Sequence, residues 1–171
     1  IFLHNYYIYQ KLVMKQILFI LFIFPFVLSS QSFDGLSESE KISLNQKRYL
    51  DFLKSEGYAP SVSEAGNISF KKEGEKYWID KNSDEKFFKI NRYLSNNDQG
   101  CSNLVKKIVK DANNQYKSLT VKLIEDDCSL IEFESSSLLA RPDDFKMIFD
   151  RSLNILGYGV DWLQDEYIKN K

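Results

Sequence analysis

The chain has 171 residues with 24 acidic and 23 basic side chains, so its formal net charge of −1 gives no general attraction for nucleic acid. The two signs of charge are interspersed, which is typical of an ordinary solvated surface. Its single histidine, His4, precedes the first Met, and the rest of the chain therefore cannot form a Ser-His-Asp or Cys-His nucleophile pair. The two cysteines are too few for a structural zinc site, and we expect neither a metal nor a cofactor.

The first informative segment begins at Met14 and reads MKQILFILFIFPFVLSSQS. A lysine, an apolar run and small residues follow one another, which is the pattern of a secretory signal peptide. The run is too short for a transmembrane helix, which needs roughly 20 apolar residues, although an uncleaved anchor remains an alternative. We therefore expect residues 1–13 to be a non-native upstream extension, residues 14–30 to be a signal peptide, and cleavage to fall between Ser30 and Gln31.

This leader predicts a periplasmic or secreted protein with no stable membrane insertion after cleavage. The mature part is long enough for a single hydrophobic core, and one domain is the simplest expectation. We predict that residues 31–42 are a polar linker and that residues 43–169 are a single α+β domain.

The first predicted helix runs from Leu44 to about Glu56, with Ser43 as its N-cap and Gln46 as its capping-box partner. Gly57 is a suitable C-terminal stop. From residue 61 to residue 80 apolar and polar residues alternate around two turns, one of them at Gly74-Glu75, which predicts a three-stranded antiparallel meander. The sequence FFKI at residues 87–90 predicts a further short strand and leaves its pairing partner open.

The second half of the chain predicts a helix, a hairpin and a long helix. Apolar residues recur at three- and four-residue steps from Cys101 to Gln115, which indicates an amphipathic helix. Two alternating strands follow around the acidic segment 125–127, which we interpret as a solvated turn rather than a calcium loop because it lacks spaced ligands. Pro142 opens the last helix, and Gly157 and Gly159 inside it predict a bend or break.

Three segments together resemble the YbjN-like family, whose fold is shared with type III secretion chaperones. They read YLDFLKSEGYAPSVSEAGNISFKKEGEKYWI, FFKI and PDDFKMIFDRSLNIL, and the resemblance spans roughly Leu44 to Glu166. It implies an α+β fold with helices packed on an antiparallel sheet in the order α-β-β-β(-β)-α-β-β-α. It also implies a noncatalytic protein-binding or chaperone-like module and supplies no catalytic residue. The family is best known as intracellular, and this chain differs by carrying a leader, like an exported Bacteroidetes-type member.

Four side chains are candidates for a docking site on the predicted sheet. If Tyr77 and the other apolar residues of its phase face the helices, alternation turns Trp78, Phe87, Lys76 and Lys89 to the opposite face. An exposed aromatic pair there would suit a protein or peptide partner, and a homodimer is also possible. The alternative is that the C-terminal helix or a loop covers these aromatic residues.

A second reading concerns Glu132 and Glu134, two residues apart on one strand. With Trp78 as a sugar platform, they could form the carboxylate pair of a small secreted glycosidase or carbohydrate-binding protein. However, alternating glutamates are also typical of the solvated face of an antiparallel sheet. We expect a noncatalytic protein and keep the glycosidase as the alternative.

The two cysteines, Cys101 and Cys128, are expected to form a disulfide, since an exported protein can keep one. The predicted helix start and the predicted hairpin turn would meet at one edge of the domain. Strict alternation argues against the bond, because it gives Cys128 the phase of Leu130 rather than that of Ile131. The test is geometric: the two Cα atoms must lie ~4.4 to 6.8 Å apart.

Overall fold

The computed structural model describes residues 33–96, 100–124 and 126–171. Of the N-terminal unit, residues 1–34, only Phe33 and Asp34 are described, so the predicted upstream extension and signal peptide, with Ser30 and Gln31, lie outside the described residues. All elements given below belong to the compact unit Gly35–Lys171. No helix in the described ranges is both long enough and apolar enough to cross a membrane.

The described elements follow the order helix, four strands, helix, two strands, helix. They are α1 (Glu38–Ser55), β1 (Ser61–Val62), β2 (Ile68–Lys72), β3 (Glu75–Ile79), β4 (Phe87–Ser95), α2 (Asn103–Gln115), β5 (Thr120–Ile124), β6 (Leu130–Leu138) and α3 (Phe145–Asn170). A 3₁₀ turn, Pro142–Asp144, precedes α3. This confirms the predicted α+β fold class.

Helix α1 begins at Glu38, earlier than the predicted start at Leu44. Its N-cap is Ser37: the Ser37 backbone N–H donates to Glu40 Oε2 at 2.9 Å, and the Glu40 N–H donates to Ser37 Oγ at 3.4 Å. Two acidic residues in the first turn also favour this start, because they interact with the positive end of the helix dipole. The predicted cap at Ser43 with Gln46 is therefore wrong, and residues 38–42 are helical rather than linker.

The six strands of the described sheet are all antiparallel, in the spatial order β1-β2-β3-β4-β6-β5. Strands β1, β2 and β3 form the predicted meander, although the turn between β2 and β3 is Glu73-Gly74, with positive φ at both residues. Strand β4 is longer than FFKI and lies between β3 and β6, which answers the pairing question left open by the sequence.

The three helices pack on one face of the sheet, which we call the helix face. Tyr49 and Phe52 of α1 contact Phe145 of α3, with ring centroids 4.9 and 5.1 Å apart. Helix α2 packs beside α3 and against β5. The sheet contributes alternating buried residues to this core: Ile68, Phe70, Tyr77, Ile79, Phe88, Ile90, Val121, Ile131 and Phe133.

Helix α3 continues through both of its glycines, so the predicted break is wrong, while a bend stays a prediction. Gly159 is a close-packing position instead. A Cβ atom there would overlap the Leu119 side chain and lie 3.3 Å from Phe133 Cδ1, whereas a Cβ at Gly157 would meet nothing within 4 Å. The absence of a side chain at residue 159 therefore lets α3 approach β6 and the start of β5.

A disulfide joins Cys101 to Cys128, and the Cα separation of 5.0 Å lies inside the predicted window. Cys128 has a φ of +56°, in the left-handed region, and precedes β6, which begins at Leu130. The alternation of β6 therefore does not govern its direction. Asn96 supports the same region: its N–H donates to Ser129 O and its Nδ2 donates to Cys128 O, both at 2.7 Å.

Candidate functional site

The face of the sheet opposite the helices, which we call the open face, carries the predicted docking residues. Trp78 and Phe87 are half-buried there, while their neighbours Tyr77 and Phe88 are buried on the helix face, so the predicted alternation is confirmed. Helix α3 packs on the helix face and does not cover these aromatic residues. Their role in docking stays a prediction.

The structure does not bring Trp78 and Phe87 together. Trp78 lies opposite Ser69 on one side and Asn91 on the other, whereas Phe87 lies opposite Leu138. Asn91 and Phe87 are four residues apart on β4, which is about 13 Å along a strand. The predicted aromatic pair is therefore two separate contact points, of which the second includes Leu138 with 83% of its surface exposed.

An ion-pair network lies between these two points. Lys89 Nζ is 3.0 Å from Asp80 Oδ2 and 3.1 Å from Glu134 Oε2. Lys122 Nζ is 2.6 Å from Glu134 Oε2 and 4.0 Å from Glu132 Oε2. Three carboxylates and two ammonium groups thus largely neutralise one another on the open face.

The environment of the network shifts three pKa values. Burial alone would lower the pKa of Lys89, but its hydrogen bonds with Asp80 and Glu134 outweigh that effect and raise it well above the ordinary value. Burial would likewise raise the pKa of Glu134, yet hydrogen bonds from Lys122 and Lys89 lower it. Burial, with the nearby Glu132 carboxylate, raises the pKa of Tyr93. At neutral pH Lys89 is therefore positively charged, Glu134 is negatively charged and Tyr93 is neutral.

Two further polar residues complete the centre of the open face. Tyr93 donates its hydroxyl hydrogen to Glu132 Oε1 at 3.0 Å. Asn91 is fully buried: its Nδ2 donates to Asp80 Oδ1 at 2.8 Å, and its Oδ1 accepts no hydrogen bond from the described residues. Sequence reasoning missed these residues, although Asn91 and Tyr93 share the phase of Lys89 along β4 and could have been assigned to the same face.

Ion pairs surround the glutamate pair. Glu132 and Glu134 share the open face, where Glu134 Oε2 lies 2.6 Å from Lys122 Nζ and 3.1 Å from Lys89 Nζ, and Glu132 lies 4.0 Å from each of the same lysines. A glycosidase acid needs a raised pKa, and the pKa of Glu134 is lowered. Trp78 is two strands away from Glu134, about 10 Å across the sheet, with Asn91 between them.

A groove lies elsewhere, between α1 and α3. Its volume is about 680 Å³ and it is open to solvent. Acidic and basic residues both line it, and Phe52 and Met147 supply its apolar surface. It therefore does not provide the enclosed cleft that the Glu132 and Glu134 pair would need.

Comparison with known proteins gives one informative similarity. No protein-family model matches the chain, and no curated protein sequence matches it. The fold is similar to the crystal structure of YbjN from E. coli, described as a candidate transcription regulator, with a TM-score of 0.52 over 72% of this chain and 92% of that one. The sequence identity is 10%, so this similarity concerns the fold alone, and it confirms the resemblance at that level.

Proposed function

We propose that this chain, which has a YbjN-like fold, is an exported, noncatalytic protein-binding or chaperone-like module of the cell envelope. The observation that carries the proposal is the open face, which no helix of the described residues covers and which presents Trp78 beside a neutralised ion network. A half-buried aromatic side chain with polar surroundings is the usual composition of a protein interface.

Binding on the face is favoured over strand addition at a sheet edge. At the β5 edge, Asn113 Oδ1 accepts the Val121 N–H at 2.7 Å, and Asn113 Nδ2 donates to Val121 O at 2.8 Å. This side chain occupies backbone groups that an added strand would need. The opposite edge is β1, Ser61–Val62, which is too short to guide a partner strand.

Export is supported by the disulfide. Disulfides persist in oxidising compartments and are rare in the cytosol, so the Cys101–Cys128 bond agrees with the leader expected at residues 14–30. Mass spectrometry of the exported protein should find an N-terminus at or near Gln31. An intact Ile1 recovered from a membrane fraction would contradict both the cleavage and the export.

The binding surface can be tested with site-specific photo-crosslinkers. One crosslinker replaces Ser136, exposed on the open face, and a matched one replaces Met147, which is 81% exposed on α3. We expect partner adducts from residue 136 and not from residue 147. An adduct with the mass of two copies of this chain would identify the partner as a second copy.

The crosslinked partner is then purified and titrated with the wild-type protein and with two variants. We expect Trp78→Ala to weaken binding about tenfold or more, because aromatic anchors dominate interface energies. Met147→Ala is the control and should leave affinity unchanged. Adducts from residue 147 alone, or equal affinity of the Trp78→Ala variant and the wild type, would overturn the proposal.

A further inference from the structure

Two lysines face each other at the end of the β2–β3 hairpin. Lys71 and Lys76 are direct cross-strand partners, both are exposed, and both belong to the open face because they share the phase of Ser69 and Trp78. Like charges directly opposite each other destabilise a strand pair. The hairpin therefore carries a repulsion that the fold itself does not require.

In the next cross-strand pair of the same hairpin, both charged side chains have ionic partners. Lys72 and Glu75 also face each other, on the helix side of the sheet. Lys72 Nζ lies 3.6 Å from Asp150, and Glu75 lies 2.8 Å from the Arg92 guanidinium. Each of these charges has an ionic partner.

By contrast, neither Lys71 nor Lys76 has an ion pair among the described residues. The Lys76 ammonium lies 4.1 Å from the centroid of the Trp78 ring, which is a cation–π contact. Glu73, in the turn, makes no ion pair with either lysine. The positive charge of this end of the open face is thus available to a partner and lies next to the aromatic side chain.

The carboxylates described elsewhere on the open face pair with other lysines. They include Asp80 and Glu134, which are held by Lys89 and Lys122 at the centre of the sheet. Lys71 and Lys76 therefore remain the uncompensated charges beside Trp78. Cross-strand Cβ atoms lie ~4.5–5.5 Å apart, so one carboxylate can approach both ammonium groups.

We propose that the partner of the open face presents an acidic peptide segment, whose carboxylates pair with Lys71 and Lys76 while an adjacent apolar side chain packs on Trp78. This proposal rests on the proposed function and specifies the chemistry of the partner. The hairpin is suited to it because a two-residue turn, Glu73-Gly74, holds both lysines in register.

The test uses fluorescein-labelled peptides of alternating glutamate and leucine, with glutamine and lysine analogues of the same length. Fluorescence anisotropy should show that the wild-type protein binds the glutamate peptide and that salt weakens this binding. The Lys71→Glu, Lys76→Glu double variant should bind it at least about tenfold more weakly.

The matched control carries the same change in net charge at another site. Lys106 and Lys110 are exposed on α2, and the Lys106→Glu, Lys110→Glu variant should retain affinity within about twofold. Far-ultraviolet circular dichroism verifies that both variants are folded. If both variants lost the same affinity for the glutamate peptide, net charge alone would explain the effect and the proposal would be overturned. Equal binding of the glutamate and glutamine peptides would also overturn it.

A last comparison separates this proposal from the proposed function, using the crosslinked partner of the preceding test. If Trp78→Ala weakens partner binding and the Lys71→Glu, Lys76→Glu variant does not, the open face binds a partner that is not acidic, and only this inference fails. If neither variant weakens binding, the proposed function fails as well. Loss in both variants is the result we expect.

Discussion

An alanine at Gly159 should be markedly less favourable than an alanine at Gly157, although both residues lie inside helix α3. Each substitution gains about 1 kcal/mol of helix propensity. The difference arises from space, because a methyl group at residue 157 meets nothing within 4 Å. A methyl group at residue 159 would overlap the Leu119 side chain and lie 3.3 Å from Phe133.

The magnitude follows from how little the two neighbours can move. Leu119 is 4% exposed and Phe133 is 0% exposed, so both sit in the packed core. Overpacking such a core costs typically about 1–3 kcal/mol. We therefore expect the Gly159→Ala variant to be less stable than the Gly157→Ala variant by about 1–3 kcal/mol, since the propensity gain is common to both.

Equilibrium unfolding in urea, followed by circular dichroism, measures this difference directly. A double-mutant cycle adds specificity: Leu119→Ala should cost less in the Gly159→Ala background than in the wild type, because it removes the overlapping atoms. Free energies of unfolding within about 0.5 kcal/mol for the two glycine variants would refute the close approach of α3 to Leu119 and Phe133.

Three further predictions concern other parts of the domain. Replacing Cys101 and Cys128 by serine should lower the free energy of unfolding by up to about 3–4 kcal/mol, because the bond closes a loop between residues 27 positions apart in the sequence. Coincident urea unfolding curves of the variant and the wild type would contradict this. Asn113→Ala should expose the backbone of Val121 at the β5 edge, lower the free energy of unfolding by about 1–3 kcal/mol and increase self-association in light scattering. A variant that stays monomeric with unchanged stability would contradict this role of Asn113. The lowered pKa of Glu134 contributes stability that is present above the unfolded pKa of 4.5 and is lost as the pH falls through the folded value. The stability deficit of Glu134→Gln should therefore shrink in acid, and a deficit independent of pH would count against the ion pairs.

Much of the architecture was predictable because the signals are local. Alternation over two residues assigned Tyr77 and Phe88 to the core and Trp78 to the other face, and the structure agrees. The start of α1 could also have been predicted from the sequence. Ser37 and Glu40 form a capping box in which Glu40 carries a negative charge that favours a helix N-terminus, whereas Gln46, the partner of Ser43, is uncharged.

The composition of the open face was only partly predictable. Lys89 could be assigned to it by its phase, but its partner Glu134 lies on β6, far along the chain. The alternation of apolar and polar residues predicts which face of the sheet a side chain occupies, but it does not predict which strand pairs with that strand. The separation of Trp78 from Phe87 follows from the same limit, since it depends on the register between β3 and β4.

The sequence by itself therefore determined the identity of the elements, the face each strand residue occupies and the fold class, because these depend on period-two and period-3.6 patterns within a segment. Tertiary structure alone decided that β4 lies between β3 and β6 and that Gly159 is a contact point, and it confirmed the Cys101–Cys128 bond against which strict alternation had argued. Each of these features is a contact between residues distant in the chain, and its energy exists only once both sides have been positioned by the packed core.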